Sequence, residues 1–249
     1  MKPDAPASTP STDRPAPRSR VFYAVYIEDR RLGTCLDATR LLMDPATRTR
    51  AHVTVRGPYD KRLRRLDEAF WNAQLKHEVL RLVEPGSFFG QGQNTVYLRC
   101  EAPALRDVWK KPDYPEFTPH LTLYDGPSRS HAERLLDLLT RRPAKYCVRS
   151  IQLEPLRSPR RPYRSQTEIG PEAHVDAGYL SRVVGRDLPL TDLDRWDAEK
   201  RFDALGALWG HLADVWEEKS RTRSSVESVC ADEDDLAAAG AGAAFTSRP

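Results

Sequence analysis

The sequence is poor in the features that would tie it to a membrane, a disulfide scaffold or a metal. No apolar run approaches the ~20 residues that a bilayer-spanning helix needs. The N-terminus carries prolines and serines but no apolar stretch of the kind found in a secretory signal. Four cysteines occur, Cys35, Cys100, Cys147 and Cys230, with no Cys-x-x-Cys pair. Scattered in this way they fit a reduced, cytoplasmic chain better than a disulfide framework or a zinc site. Charge of one sign is also lacking. Lys and Arg number 39 against 36 Asp and Glu, and the formal net charge of +3 gives no argument for a grip on long nucleic acid. There is no Walker-type glycine loop, no Gly-x-Ser-x-Gly and no His-Glu-x-x-His. Gly90-Gln91-Gly92 is a loop rather than a nucleotide fingerprint. No cluster of His, Cys, Asp or Glu has metal-ligand spacing, so neither a metal nor a cofactor is expected.

What is present is a chain of 249 residues, 39% hydrophobic and 30% charged, long enough for one or two domains with a real core. Residues 1–19 lack periodicity and read as a disordered leader. A strand is predicted over 21–27. A helix follows through Leu32, Cys35, Leu36, Thr39 and Leu42, stopped by Pro45. Leu63, Leu66, Phe70 and Ala73 mark a second helix. Strands are expected over 78–83 and 95–100, around a loop at 90–94. Ala132, Leu135, Leu136 and Leu139 mark another helix, and strands over 146–153 and 163–169, joined by the basic loop 157–162, close the domain. That order of elements argues for α/β or α+β layers.

Two histidines repeat one setting, in Ala51-His52-Val53-Thr54-Val55-Arg56-Gly57 and in Pro119-His120-Leu121-Thr122-Leu123-Tyr124-Asp125-Gly126. Each run reads as a short strand ended by a turn. Side chains alternate along a strand, so His52, Thr54 and Arg56 should share one face, and His120, Thr122 and Tyr124 another. Val53, Val55, Leu121 and Leu123 then point into the core. Set side by side, the strands bring two imidazoles and two hydroxyls around one point, which suits acid–base chemistry on a phosphate. Histidine titrates near pH 6.5, so one copy can accept a proton while the other donates one. The sequence leaves open which does which. Of the six histidines, His77, His131, His174 and His211 lack the pattern.

The runs His52-Val-Thr-Val-Arg-Gly-Pro-Tyr59 and Phe117-Thr-Pro-His-Leu-Thr-Leu-Tyr124 closely resemble the motifs of the 2H phosphoesterase superfamily, which includes 2′-5′ RNA ligase-like proteins and 2′,3′-cyclic phosphodiesterases. The resemblance covers residues 20–170. It implies a bilobal α/β (α+β) fold of two similar halves around a central cleft, and metal-independent opening of a cyclic or 2′-5′ phosphodiester on an RNA end or small nucleotide. His52 and His120 would be the catalytic acid and base. Thr54 and Thr122 would donate to the non-bridging phosphate oxygens. Arg56 would neutralise the phosphate, and Tyr59, Tyr124 and Phe89 would stack on a base or line the cleft. Pro112 and Pro115 interrupt the helix expected between Cys100 and Phe117. The reading from another class is a non-catalytic module that senses a nucleotide or RNA end and signals through its C-terminal helix.

The resemblance stops near Gly170. Trp196, Phe202, Leu205, Leu208, Trp209, Leu212 and Trp216 recur at helical spacing between about 192 and 219. Such a stripe must bury against something, and packing on the domain is favoured over a docking surface for a protein partner or a homodimer. Residues 171–219 are therefore read as an extension, and 220–249 as a disordered tail.

Overall fold

The computed structural model describes residues 20–61, 63, 67–76, 78–90, 93–110, 116–142, 146–148, 151–158 and 171–215. The predicted leader 1–19, tail 220–249, strand 163–169, Pro112, Pro115, His77 and Trp216 lie outside the described residues. So does most of the basic loop 157–162.

The chain is α+β. Seven strands form one sheet in the order β6-β3-β4-β5-β2-β1-β7. They are β1 (Arg20–Ile27), β2 (His52–Tyr59), β3 (Leu80–Gly90), β4 (Gln93–Glu101), β5 (His120–Gly126), β6 (Tyr146–Val148) and β7 (Ile151–Ser158). Each neighbouring pair is antiparallel. The stretch 146–153, predicted as one strand, is two strands at opposite edges of the sheet. Only residues 149–150 separate them, so the sheet must curl until its edges approach.

Helix α1 (Arg30–Met43) begins where the Asp29 side chain accepts the Leu32 N–H at 2.8 Å. Helix α2 (Glu68–Leu75) is shorter than its apolar pattern predicts, because Asp67 caps it by accepting from Phe70 N at 2.9 Å. Helix α3 (Leu105–Val108) is a single turn. Helix α4 (Arg129–Arg141) starts at Ser128, whose Oγ accepts from His131 N. The strands turn Val21, Tyr23, Val25, Val53, Val96, Leu98 and Leu121 into one core with Leu36 and Leu42 of α1 and Leu135 and Leu139 of α4.

After a 3₁₀ turn at Pro171–His174, helix α5 (Ala177–Val184) ends at Gly185, whose φ of 72° supplies the left-handed C-cap. The predicted helix over 192–219 is broken. A 3₁₀ turn covers Leu190–Arg195, the chain bends at Trp196, and a new helix, α6, runs over 198–215. The break has a local cause: the Asp197 side chain accepts from Lys200 N at 2.7 Å and starts the second helix. Helix α6 lies over α1 and α4. The Trp209 indole N–H donates to Thr39 Oγ1 at 3.2 Å, Phe202 meets the His131 ring, and Arg134 pairs with Glu199 at 2.7 Å. Leu205 and Leu208 are fully buried and Trp209 is 2% exposed, so the apolar stripe from Trp196 to Leu212 is covered within the chain. No helix among the described residues is long and apolar enough to cross a membrane.

Candidate active site

The two motif strands β2 and β5 are neighbours at the centre of the sheet, paired at one position, Val53 opposite Leu121. Both of these valine and leucine side chains are fully buried. Antiparallel register then sets His52 across from Thr122 and Thr54 across from His120, all four on the opposite face and all partly exposed. The histidines are diagonal neighbours. In a fully paired ladder such positions lie about 7–8 Å apart; here the strands pair only at Val53 and Leu121.

The ring orientations repeat as well. His52 Nδ1 lies 2.7 Å from the Arg50 carbonyl, and His120 Nδ1 lies 2.8 Å from the Thr118 carbonyl. A carbonyl can only accept, so in each ring Nδ1 carries the proton and Nε2 becomes the atom that exchanges one. Each histidine also meets aromatic rings from strands further out in the sheet, Tyr26 of β1 beside His52, and Tyr97 of β4 and Phe88 of β3 beside His120. Tyr26 is 5.7 Å from His52, Tyr97 is 5.0 Å from His120, and Phe88 is 5.7 Å from His120.

Arg56 and Tyr124 do not join this face, against the expectation from simple alternation. In β2, Thr54 pairs with Ala24 but Arg56 pairs with Tyr23, so Val55 and Arg56 stand opposite one residue. In β5, Thr122 pairs with Tyr97 but Tyr124 pairs with Val96, so Leu123 and Tyr124 stand opposite one residue. Each motif strand therefore bulges directly after its threonine, which shifts the alternation by one. Tyr124 is 5% exposed, and its hydroxyl accepts from Ser128 N at 3.1 Å. Arg56 Nε donates to the Val108 carbonyl at 2.6 Å, and its guanidinium lies 6.0 Å from the Trp71 ring. Tyr59 is taken up elsewhere too, edge-on to Tyr23 and donating to the Lys110 carbonyl at 3.4 Å.

A cavity of about 1140 Å³ opens on one side of the histidine pair. His120 and Thr122 line it, with Phe88, Tyr97, Arg99, Arg106, Phe117 and Asp125 among the others; His52 and Thr54 stand on the next strand, outside its lining. Phe89 borders the cavity, but it pairs with Asn94, and Arg129 lies over its ring at 4.6 Å. The neighbouring Phe88 pairs with Thr95 instead, is 54% exposed, and stacks on Tyr97 at 4.7 Å and 25°. Asp125 reaches the cavity because of the β5 bulge, and its carboxylate accepts from Gln93 Nε2 and Thr95 Oγ1, both at 2.8 Å.

Two charged residues of α1 support the site from behind. Where β2 and β5 part, Arg40 fills the gap. It donates to the Thr122 carbonyl at 2.6 Å, to the Thr49 carbonyl at 3.1 Å and to the Thr47 and Thr49 hydroxyls. Burial lowers its pKa from the ordinary value, against the opposing pull of Asp37, Asp44, Asp125 and Tyr26. Asp37 is 2% exposed, accepts the Ala51 N–H, and lies 3.5 Å from Arg50 Nε. Burial pushes its carboxyl up to about 6, although the Ala51 N–H, Arg50 and Arg40 all favour the charged form. Neither residue stands out in the sequence, because both fall inside an ordinary amphipathic helix. Among the described residues, no group of three His, Cys, Asp or Glu could hold a metal ion.

Comparison with known family models, with curated proteins and with solved structures gave no match.

Proposed function

We propose that the protein is a 2H-type phosphodiesterase that opens a cyclic or 2′-5′ phosphodiester on an RNA end or small nucleotide. The observation that carries this reading is the pair of diagonal histidines, each with Nδ1 held by the carbonyl two residues before it. Water attacks phosphorus and an alkoxide leaves from the opposite side. One Nε2 accepts the proton of the attacking water, and the other donates a proton to the leaving oxygen. Thr54 and Thr122 hydroxyls donate to the non-bridging oxygens as charge builds.

The arrangement of the sheet supports a bilobal reading. One half is β7-β1-β2, the other is β6-β3-β4-β5 with α4 packed on it; each gives its innermost strand to the seam, and α1 bridges the seam by packing on β1 and β5. The one-sided cavity supports a polarity for the substrate. The phosphate sits between the histidines, and the nucleoside extends over the exposed Phe88–Tyr97 pair. Arg99 and Arg106 are the cations on that wall, a role that Arg56, turned towards Val108, does not fill.

The test is a hydrolysis panel of 2′,3′-cyclic nucleotides, 2′-5′ dinucleotides, cyclic oligonucleotides and ADP-ribose 1″,2″-cyclic phosphate. His52→Ala and His120→Ala should each lower turnover by about 10²- to 10⁴-fold with the fold retained. A single variant that keeps the wild-type rate on the substrate found would end the two-histidine mechanism.

A further inference from the structure

The two histidines match in ring orientation but differ in what stands behind them. The carbonyl that accepts from His52 Nδ1 belongs to the Arg50–Ala51 peptide, and the N–H of that same peptide donates to the Asp37 carboxylate. The carbonyl that accepts from His120 Nδ1 belongs to the Thr118–Pro119 peptide, and proline has no N–H to donate. Hydrogen bonds in series through one peptide group polarise one another. A carboxylate on the N–H end draws electron density onto the carbonyl oxygen, and that oxygen then holds the imidazole Nδ1–H more tightly.

We propose that Asp37 is a positioning residue for His52, acting through the Arg50–Ala51 peptide to fix its Nδ1 proton and make its Nε2 more basic than it would be without the carboxylate, a support that His120 lacks. Arg50 steadies the same element. Its guanidinium is 3.5 Å from Asp37 and 3.6 Å from Glu28, donates to the Ile27 carbonyl, and lies 5.2 Å from the Tyr26 ring. The charged and titratable groups around this unit are therefore Arg50 and Glu28, Arg40 on α1, Tyr26 on β1, and His174, which feels Arg50. Asp37 itself changes charge near pH 6, so the support weakens in mildly acid solution.

The inference rests on the two-histidine reading for its functional meaning, but its test needs no substrate. Both imidazoles of the full chain are titrated by NMR, in the wild type and in Asp37→Asn, which keeps an oxygen for the Ala51 N–H but removes the charge. The His52 midpoint should fall by about half a pH unit to one unit, a 3- to 10-fold loss of proton affinity, while that of His120 stays. A His52 midpoint that does not move, or a His120 midpoint that moves with it, overturns the proposal. Should the variant not fold, the wild type decides alone. The Ala51 amide proton should follow the titration of the Asp37 carboxyl carbon near pH 6, and an amide indifferent to that titration overturns the proposal. Failure of the hydrolysis panel would instead strike the proposed function and leave these shifts standing.

Discussion

The buried Asp37 should make the fold less stable as pH rises, opposite to the behaviour of most carboxylates. Its folded value of about 6 lies above the ordinary 3.8. The native state therefore holds the proton more tightly than the unfolded chain does. Stability from this group is fully present below about pH 4 and is lost as pH rises through 6. Two pH units at 1.36 kcal/mol each give about 3 kcal/mol, of which about 2 kcal/mol is regained on lowering pH from 7.5 to 4.5. The figure already sets the attraction of Arg50 and Arg40 against the cost of burial. Urea unfolding of wild type and Asp37→Asn at both pH values measures it. At pH 7.5 the variant should be the more stable by up to about 3 kcal/mol, and the gap should narrow by about 2 kcal/mol at pH 4.5. Asp176, Glu199, His131 and His174, whose values are lowered in the fold, titrate in both chains and cancel in the difference. A gap that stays constant with pH, or a variant less stable at pH 7.5, would refute the reasoning.

Three further outcomes can be checked directly. Trp209→Ala should cost about 3–5 kcal/mol in urea unfolding, because it empties a site 2% exposed between α6 and α1; a change below 1 kcal/mol would mean that α6 is not part of the core. Phe88→Ala should raise KM for a nucleotide substrate about 5- to 150-fold and leave kcat little changed, since base stacking contributes about 1–3 kcal/mol; an unchanged KM would move the nucleoside elsewhere. Activity should survive EDTA, because two histidines supply both proton transfers of the proposed reaction; loss in chelator with recovery on adding a divalent ion would contradict this.

The histidine strands were legible because a period of two is a strong signal wherever one face is buried. Val53 and Leu121 fix the inward face, and His52, Thr54, His120 and Thr122 follow. Val55 and Leu123 are buried as the alternation requires, and it fails one residue later, at Arg56 and Tyr124. A bulge is a property of pairing, set by Tyr23 and Val96 on strands far away in sequence, so nothing within either motif announces it. The same distance hid Phe88. Its neighbour Phe89 looks equal in the sequence, and only the β3–β4 register decides which ring meets Tyr97. The C-terminal stripe was readable in period but not in length, because the cap at Asp197 is stronger locally than the continuity of the apolar pattern.

The single pairing between β2 and β5 explains why α1 carries so much of the charge near the site. Two strands joined at one position leave carbonyls without a ladder partner on either side. Beyond His52 and Thr122 that deficit is met by Arg40, whose planar head reaches the Thr122 and Thr49 carbonyls together. A guanidinium in that place brings a buried charge, and Asp37, Asp44 and Asp125 are the acids that hold it there. Asp37 then serves two sites at once: it offsets Arg40 and Arg50, and it holds the peptide against which His52 orients its ring. The strands part on either side of Val53 and Leu121. That parting calls for a buried arginine, the arginine calls for a buried acid, and that acid stands behind only one of the two histidines.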